Sequence, residues 1–174
     1  ERGTPPHIII LTGGEGSHRP CCKVSEERII SERRHFALST AALLGIPKSN
    51  IHFLAYPDEH IALECSESMI LKKLIETLSP ETLLIPHWGE VMPDHVLTAE
   101  IIKNLMINKN VSIYEYCVWM WYFNVWNLDG KNAFIVKMNR TMHERKLRAI
   151  EQYITPLAPC GKPWSGELPK PFLK

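Results

Sequence analysis

Histidine and carboxylate crowd one short stretch of this chain, Pro86-His87-Trp88-Gly89-Glu90-Val91-Met92-Pro93-Asp94-His95. A neutral imidazole is a metal ligand, and a carboxylate beside it can orient or deprotonate. If Asp94 caps the helix that follows, His95 lies in its first turn, where the positive end of the helix disfavours imidazolium. A second group, Asp58-Glu59-His60, follows another apolar run. His and carboxylate ligands gathered on such loops would suit zinc with one coordination position open to water. The chain has no HExxH and no pair of histidines at helical spacing, so spacing alone reaches only a candidate polar site. A third stretch, Gly13-Gly14-Glu15-Gly16-Ser17-His18, is a glycine loop of the kind that cradles phosphate. Its spacing is not GxGxxG, and no P-loop lysine follows.

These groups must be held by the elements on either side of them. His7 to Thr12 is a short Ile-rich run between prolines and glycines, the pattern of a strand buried on both faces. Ser25 to Leu44 reads as a helix capped by Ser25, with Glu26 and Glu27 in its first turn. Ile30, Ala37, Ala41 and Leu44 share its inner face, and Gly45 and Pro47 stop it. Ile51 to Leu54 is a second strand, Ser66 to Leu78 a helix capped by Ser66, and Thr82 to Ile85 a third strand. Asp94 then opens a helix with Leu97, Ile101 and Leu105 inward. Alternating strands and helices predict an α/β fold, a Rossmann-like three-layer αβα arrangement on a mainly parallel sheet, with ligands at the strand ends. Val111 to Trp126 reads as a buried strand running into a packed hairpin arm. Its aromatics could instead line a cleft and stack on sugar C–H surfaces. Asn132 to Met138 reads as a strand paired with it, and Thr141 with Glu144 as a capping box opening a helix to about Ile154.

The chain has 174 residues with 45% hydrophobic and 22% charged side chains, an ordinary globular composition. A net charge of +1 gives no broad basic footprint for nucleic acid. No apolar run approaches the roughly 20 residues of a membrane span. The five cysteines are odd in number and show no CxxC, which predicts reduced thiols and a cytoplasmic location.

Several motifs, in order, resemble one family. Leu11-Thr12-Gly13-Gly14-Glu15-Gly16-Ser17-His18 is similar to the LTDGEGSH-type loop of the LmbE/PIG-L family of zinc-dependent N-acetyl sugar deacetylases. Phe53-Leu54-Ala55-Tyr56-Pro57-Asp58 resembles its hFLgyPDG segment, and Met92-Pro93-Asp94-His95 stands where it has HPDH. Tyr114 to Trp121 resembles a YEYPVWMW run, and Lys146 and Ala149 fit a KxxA helix. The resemblance implies a zinc-dependent hydrolase that removes an N-acetyl group from a small amino-sugar derivative. It assigns His95 to the metal, gives Asp94 a catalytic supporting role, and puts Asp58 and Arg33 near the sugar.

Two departures stand beside it. The family's (A/S)HPDDE motif, which supplies the other metal histidine, the metal aspartate and the base, is not in these residues. Met92 replaces the first histidine of HPDH, and a thioether cannot donate a hydrogen bond to an oxyanion. The expectation is a single LmbE/PIG-L-like domain over residues 1–174, lacking the first βα unit, its C-terminal end also open to truncation, with an incomplete Zn2+ site. An unpaired sheet edge at the missing strand predicts poor solubility or self-association. The competing reading is a catalytically degenerate relative that binds a sugar or a protein partner.

Overall fold

The computed structural model describes residues 3–19, 23–63, 65–107, 109–123 and 130–166. Strand β1 (Ile8–Thr12) leads through helix α1 (Glu26–Leu43) to β2 (Ile51–Tyr56), and helix α2 is Ser66–Leu78. Strand β3 (Thr82–Pro86) leads through α3 (Pro93–Leu105) to β4 (Ser112–Tyr116), followed by α4 (Met120–Phe123) and α5 (Arg140–Ile154). The fold is α/β with parallel strands, as the alternation of elements predicts. Among the described residues β1 pairs with β2, and β3 with β4, both in parallel.

The chain divides into two compact units, Glu1–Asp58 with Ile135–Lys174, and Glu59–Phe134. Each contains one strand-helix-strand crossover.

In the first unit, Ser25 caps α1 as expected, its hydroxyl accepting from the Arg28 N–H. Gly45, at φ 79°, ends it in a left-handed turn that glycine adopts without a Cβ penalty. The inner face is shifted from the predicted one: Ile29 and Ala41 are buried and Leu44 is exposed. Ile29 joins Ala158 and Trp164 in a small core, with Val24, Phe36 and Cys160 against it. Cys160 is disulfide-bonded, which corrects the expectation that every thiol is reduced; Cys65 and Cys117 remain thiols. Helix α5 packs on α1. Asn139 caps it, accepting from the Met142 N–H at 2.9 Å, so Thr141 lies inside the helix and no capping box forms. Glu144 pairs with Arg140 instead.

In the second unit, Leu71, Ile75, Ile85, Ala99, Ile101, Ile102 and Met120 are buried. Cys65, not Ser66, precedes α2. Met92, not Asp94, precedes α3, because Pro93 takes the first helical position, where its missing N–H costs nothing. Strand β4 alternates exposed and half-buried residues, so only one face is covered, unlike the fully buried strand expected. The predicted hairpin arm becomes the short α4, and the rest of that prediction, residues 124–126, lies outside the described residues. The strand predicted over Asn132–Met138 is not formed. Residues 133–139 are irregular, Ile135 is 88% exposed, and among the described residues no strand pairs with them.

Candidate functional site

The two units each present one cluster of polar side chains beyond the C-terminal ends of their strands. In the second unit it is built on the loop between β3 and α3. The Glu90 side chain is fully buried, and burying a charge there is costly unless donors meet it. Its two oxygens accept the backbone N–H groups of Val118 and Trp119, the latter at 2.9 Å. His95, in the first turn of α3, places Nδ1 3.4 Å from Glu90 Oε2. That is contact distance, but Nδ1 is buried and has no aligned hydrogen bond. Asp94 turns the other way. Its Oδ2 accepts the Glu59 N–H at 2.9 Å, while Oδ1 is buried without a partner.

His87 is a neighbour with a different role. Its Nδ1 accepts the Gly89 N–H at 2.9 Å, which assigns the ring proton to Nε2, 3.4 Å from Glu115 Oε2. Lys103 holds the other Glu115 oxygen. The imidazole is thereby a satisfied structural group, stacked on Trp88. Burial and, after it, the Glu90 charge push the Tyr116 hydroxyl pKa up. Burial, then Glu90, then Glu115 push the Cys117 thiol up.

In the first unit the cluster is built on the loop after β1. Asp58 closes that loop onto the end of β2: Oδ1 accepts the Thr12 hydroxyl at 2.9 Å and Oδ2 the Gly16 N–H at 3.0 Å. The Asp58 N–H in turn donates to Glu15 Oε1 at 2.8 Å, and Glu15 Oε2 is buried without a partner. Arg33, on α1, donates from Nη1 to the Ser165 carbonyl at 2.9 Å and the Ser17 hydroxyl at 3.2 Å. The loop therefore works as a carboxylate-braced turn over an arginine. His18 is buried against Trp164, edge to face.

The structure thus brings His95 to Glu90, ties Asp94 to the Glu59 backbone instead, and joins Asp58 with Glu15. His87 is directed to Glu115. Sequence reasoning passed over Glu90, although it is the only carboxylate between Pro86 and Pro93. Its signal was there; what could not be read was that two backbone N–H groups near residue 118 would meet it. Catalytic zinc takes three protein ligands. Among the described residues no group of three His, Cys, Asp or Glu side chains is placed to hold a metal, so the residues present do not complete the implied zinc site. A groove of about 400 Å³ lined by Ile75, Ser79, Met106 and Val111 includes none of the candidate residues.

No curated protein matches this chain. Among solved structures it is similar to the N,N'-diacetylchitobiose deacetylase from Pyrococcus horikoshii, at 19% identity and TM-score 0.63, over 83% of this chain and 57% of that one. It is similar to GalB, a 4-carboxy-2-hydroxymuconate hydratase from Pseudomonas putida KT2440, at 16% identity and TM-score 0.66, over 85% of this chain and 66% of that one. The A40926 pseudoaglycone deacetylase Dbv21 matches at 14% identity and TM-score 0.61, over 87% of this chain and 70% of that one. At such identities the likeness is one of fold, and the chain spans little more than half the length of the chitobiose deacetylase. The model of the PIG-L family, described as GlcNAc-PI de-N-acetylase, matches residues 1–106, and with more than half of its length matched the chain belongs to that family.

Proposed function

We propose that this chain is part of a PIG-L-type N-deacetylase, a hydrolase that removes the acetyl group from a small amino-sugar derivative. The family match over residues 1–106 carries the reading, because it spans Arg33, Asp58, Asp94 and His95. Zinc is the proposed cofactor and His95 its proposed ligand in this chain. Asp94 is proposed to support that site and Arg33 to contact the sugar from its unused donors. Asp58 is proposed at the substrate's edge, acting through the loop it braces. The three-layer arrangement is proposed for the whole domain. Among the described residues no helix is long and apolar enough to cross a membrane. A cytoplasmic location is proposed against one observation, the disulfide at Cys160.

The test is made on the natural gene product, purified with and without His95→Ala. The reading expects one zinc per chain and acetate release from N-acetylglucosaminyl derivatives, both lost in the variant. Full activity in His95→Ala, or no acetate from any amino-sugar amide, rejects it.

A second reading, a binding protein without catalysis, is favoured by Met92, which offers no donor where the motif has histidine. Acetylated-sugar binding without turnover in the same assay would select it. The hydratase with the same fold is a reminder that fold alone does not choose the chemistry.

A further inference from the structure

Glu90 is the fully buried carboxylate in the described part of the β3–α3 loop, and no motif assigns it a role. Such a group is retained against its desolvation cost only where donors surround it. Val118 and Trp119 supply two backbone N–H donors, which lock the carboxylate plane. The same Oε2 that accepts from Trp119 lies 3.4 Å from His95 Nδ1. His95 is 28% exposed through its side chain, and Nδ1 is its buried nitrogen, so Nε2 lies on the more open side. Each element of the arrangement is fixed by backbone. The carboxylate, carried by the β3–α3 loop, is held by two N–H groups of the segment after β4, and the imidazole stands in the first turn of α3.

We propose that Glu90 is a positioning residue, which holds the His95 imidazole as the Nδ1–H tautomer and leaves Nε2 as the free, outward nitrogen. An imidazole in water favours the other tautomer modestly. A fixed anion facing Nδ1 reverses that preference, and a backbone-anchored anion does so without ordering a flexible side chain at the moment of use. The proposal rests on the reading of His95 as the functional imidazole, but its geometry does not depend on a metal or on turnover.

The experiment is a long-range proton–nitrogen correlation spectrum of the 15N-labelled chain at mildly alkaline pH, with His95 assigned by comparison with His95→Gln. The expected result is a downfield, unprotonated Nε2 and an upfield, protonated Nδ1. Glu90→Gln should move both signals towards the Nε2–H pattern. A wild-type spectrum dominated by Nε2–H, or tautomer signals unchanged in a folded Glu90→Gln protein, overturns the proposal. Should Glu90→Gln not fold, the wild-type spectrum decides: a Nδ1 proton protected from solvent exchange upholds it, and an unprotected one rejects it. The spectrum separates the two readings. The wrong tautomer sinks the role of Glu90 and leaves deacetylation standing, whereas loss of acetate release in the natural product with the expected tautomer does the reverse.

Discussion

The guanidinium of Arg33 fills the space into which a side chain at Gly14 would project. A Cβ at residue 14 would meet Arg33 Cζ and Nε at 2.3 Å, and Gly14 sits at φ 70°. The glycine loop after β1 is therefore shaped around an arginine of α1 rather than left open for a phosphate.

Gly14→Ala should displace Arg33 from Ser17 and Ser165 and add left-handed backbone strain. A loss of about 1–2 kcal/mol of stability is expected from the backbone alone. Urea denaturation checks it; a midpoint equal to wild type would show that the loop relaxes freely.

Asp58→Asn should cost about 1 kcal/mol, because the amide oxygen can still accept the Gly16 N–H and the Thr12 hydroxyl can turn to accept from the amide nitrogen, so that only the charge-assisted strength of the two bonds is lost. Thr12→Val, which leaves Asp58 Oδ1 without its donor, should cost a similar amount or more. Equal denaturation midpoints for Asp58→Asn and wild type would remove the bracing role.

Asn139→Ala should destabilise α5 by about 1 kcal/mol, and Thr141→Ala by much less, since the observed cap is Asn139. Thermal melts of the two variants side by side settle the order.

The Cys117 thiol has its pKa raised by burial, then by Glu90 and Glu115. Its proton is held more tightly in the folded chain, so this contribution to stability is present below the unfolded thiol pKa. It is lost as pH rises through the higher folded value. Native Cys117 should alkylate more slowly than an unfolded thiol at pH 8, and Glu115→Gln should speed it. Mass-spectrometric labelling of Cys117 over a pH series reads both; a native rate at or above the unfolded one contradicts the shift.

Residues 1–174 by themselves are expected to release acetate from N-acetylglucosamine derivatives only at background, because no three metal ligands are gathered among the described residues. Met92→His alone should not change that, although it offers a donor two residues before the unpartnered Asp94 Oδ1. Acetate above background from either protein would overturn the expectation.

Strands with short apolar runs between Pro and Gly were legible from composition, as were α1 with its Ser25 cap and α3 with His95 in its first turn. What was not legible depended on residues distant in sequence. Glu90 looked like a loop carboxylate until Val118 and Trp119 met it. The run around Ile135 had strand composition, but a strand needs a hydrogen-bonded partner, and among the described residues none pairs with 133–139. Pro93 moved the start of α3 by fixing its own backbone, which freed Asp94 to bind Glu59. His87 looked like a ligand beside His95 until Gly89 and Glu115 engaged both its nitrogens.

The pairing of β1 with β2 slips by one residue between Ile10 and Thr12, so that Thr12 stands opposite Tyr56. Such a slip exchanges the faces of a strand. Without it, the Thr12 hydroxyl would be carried out of step with the Asp58 carboxylate. The length of β2 is thus gauged by the chemistry at its far end, not by the ladder. Removing one residue near Leu54 would tidy the pairing and unlatch the loop.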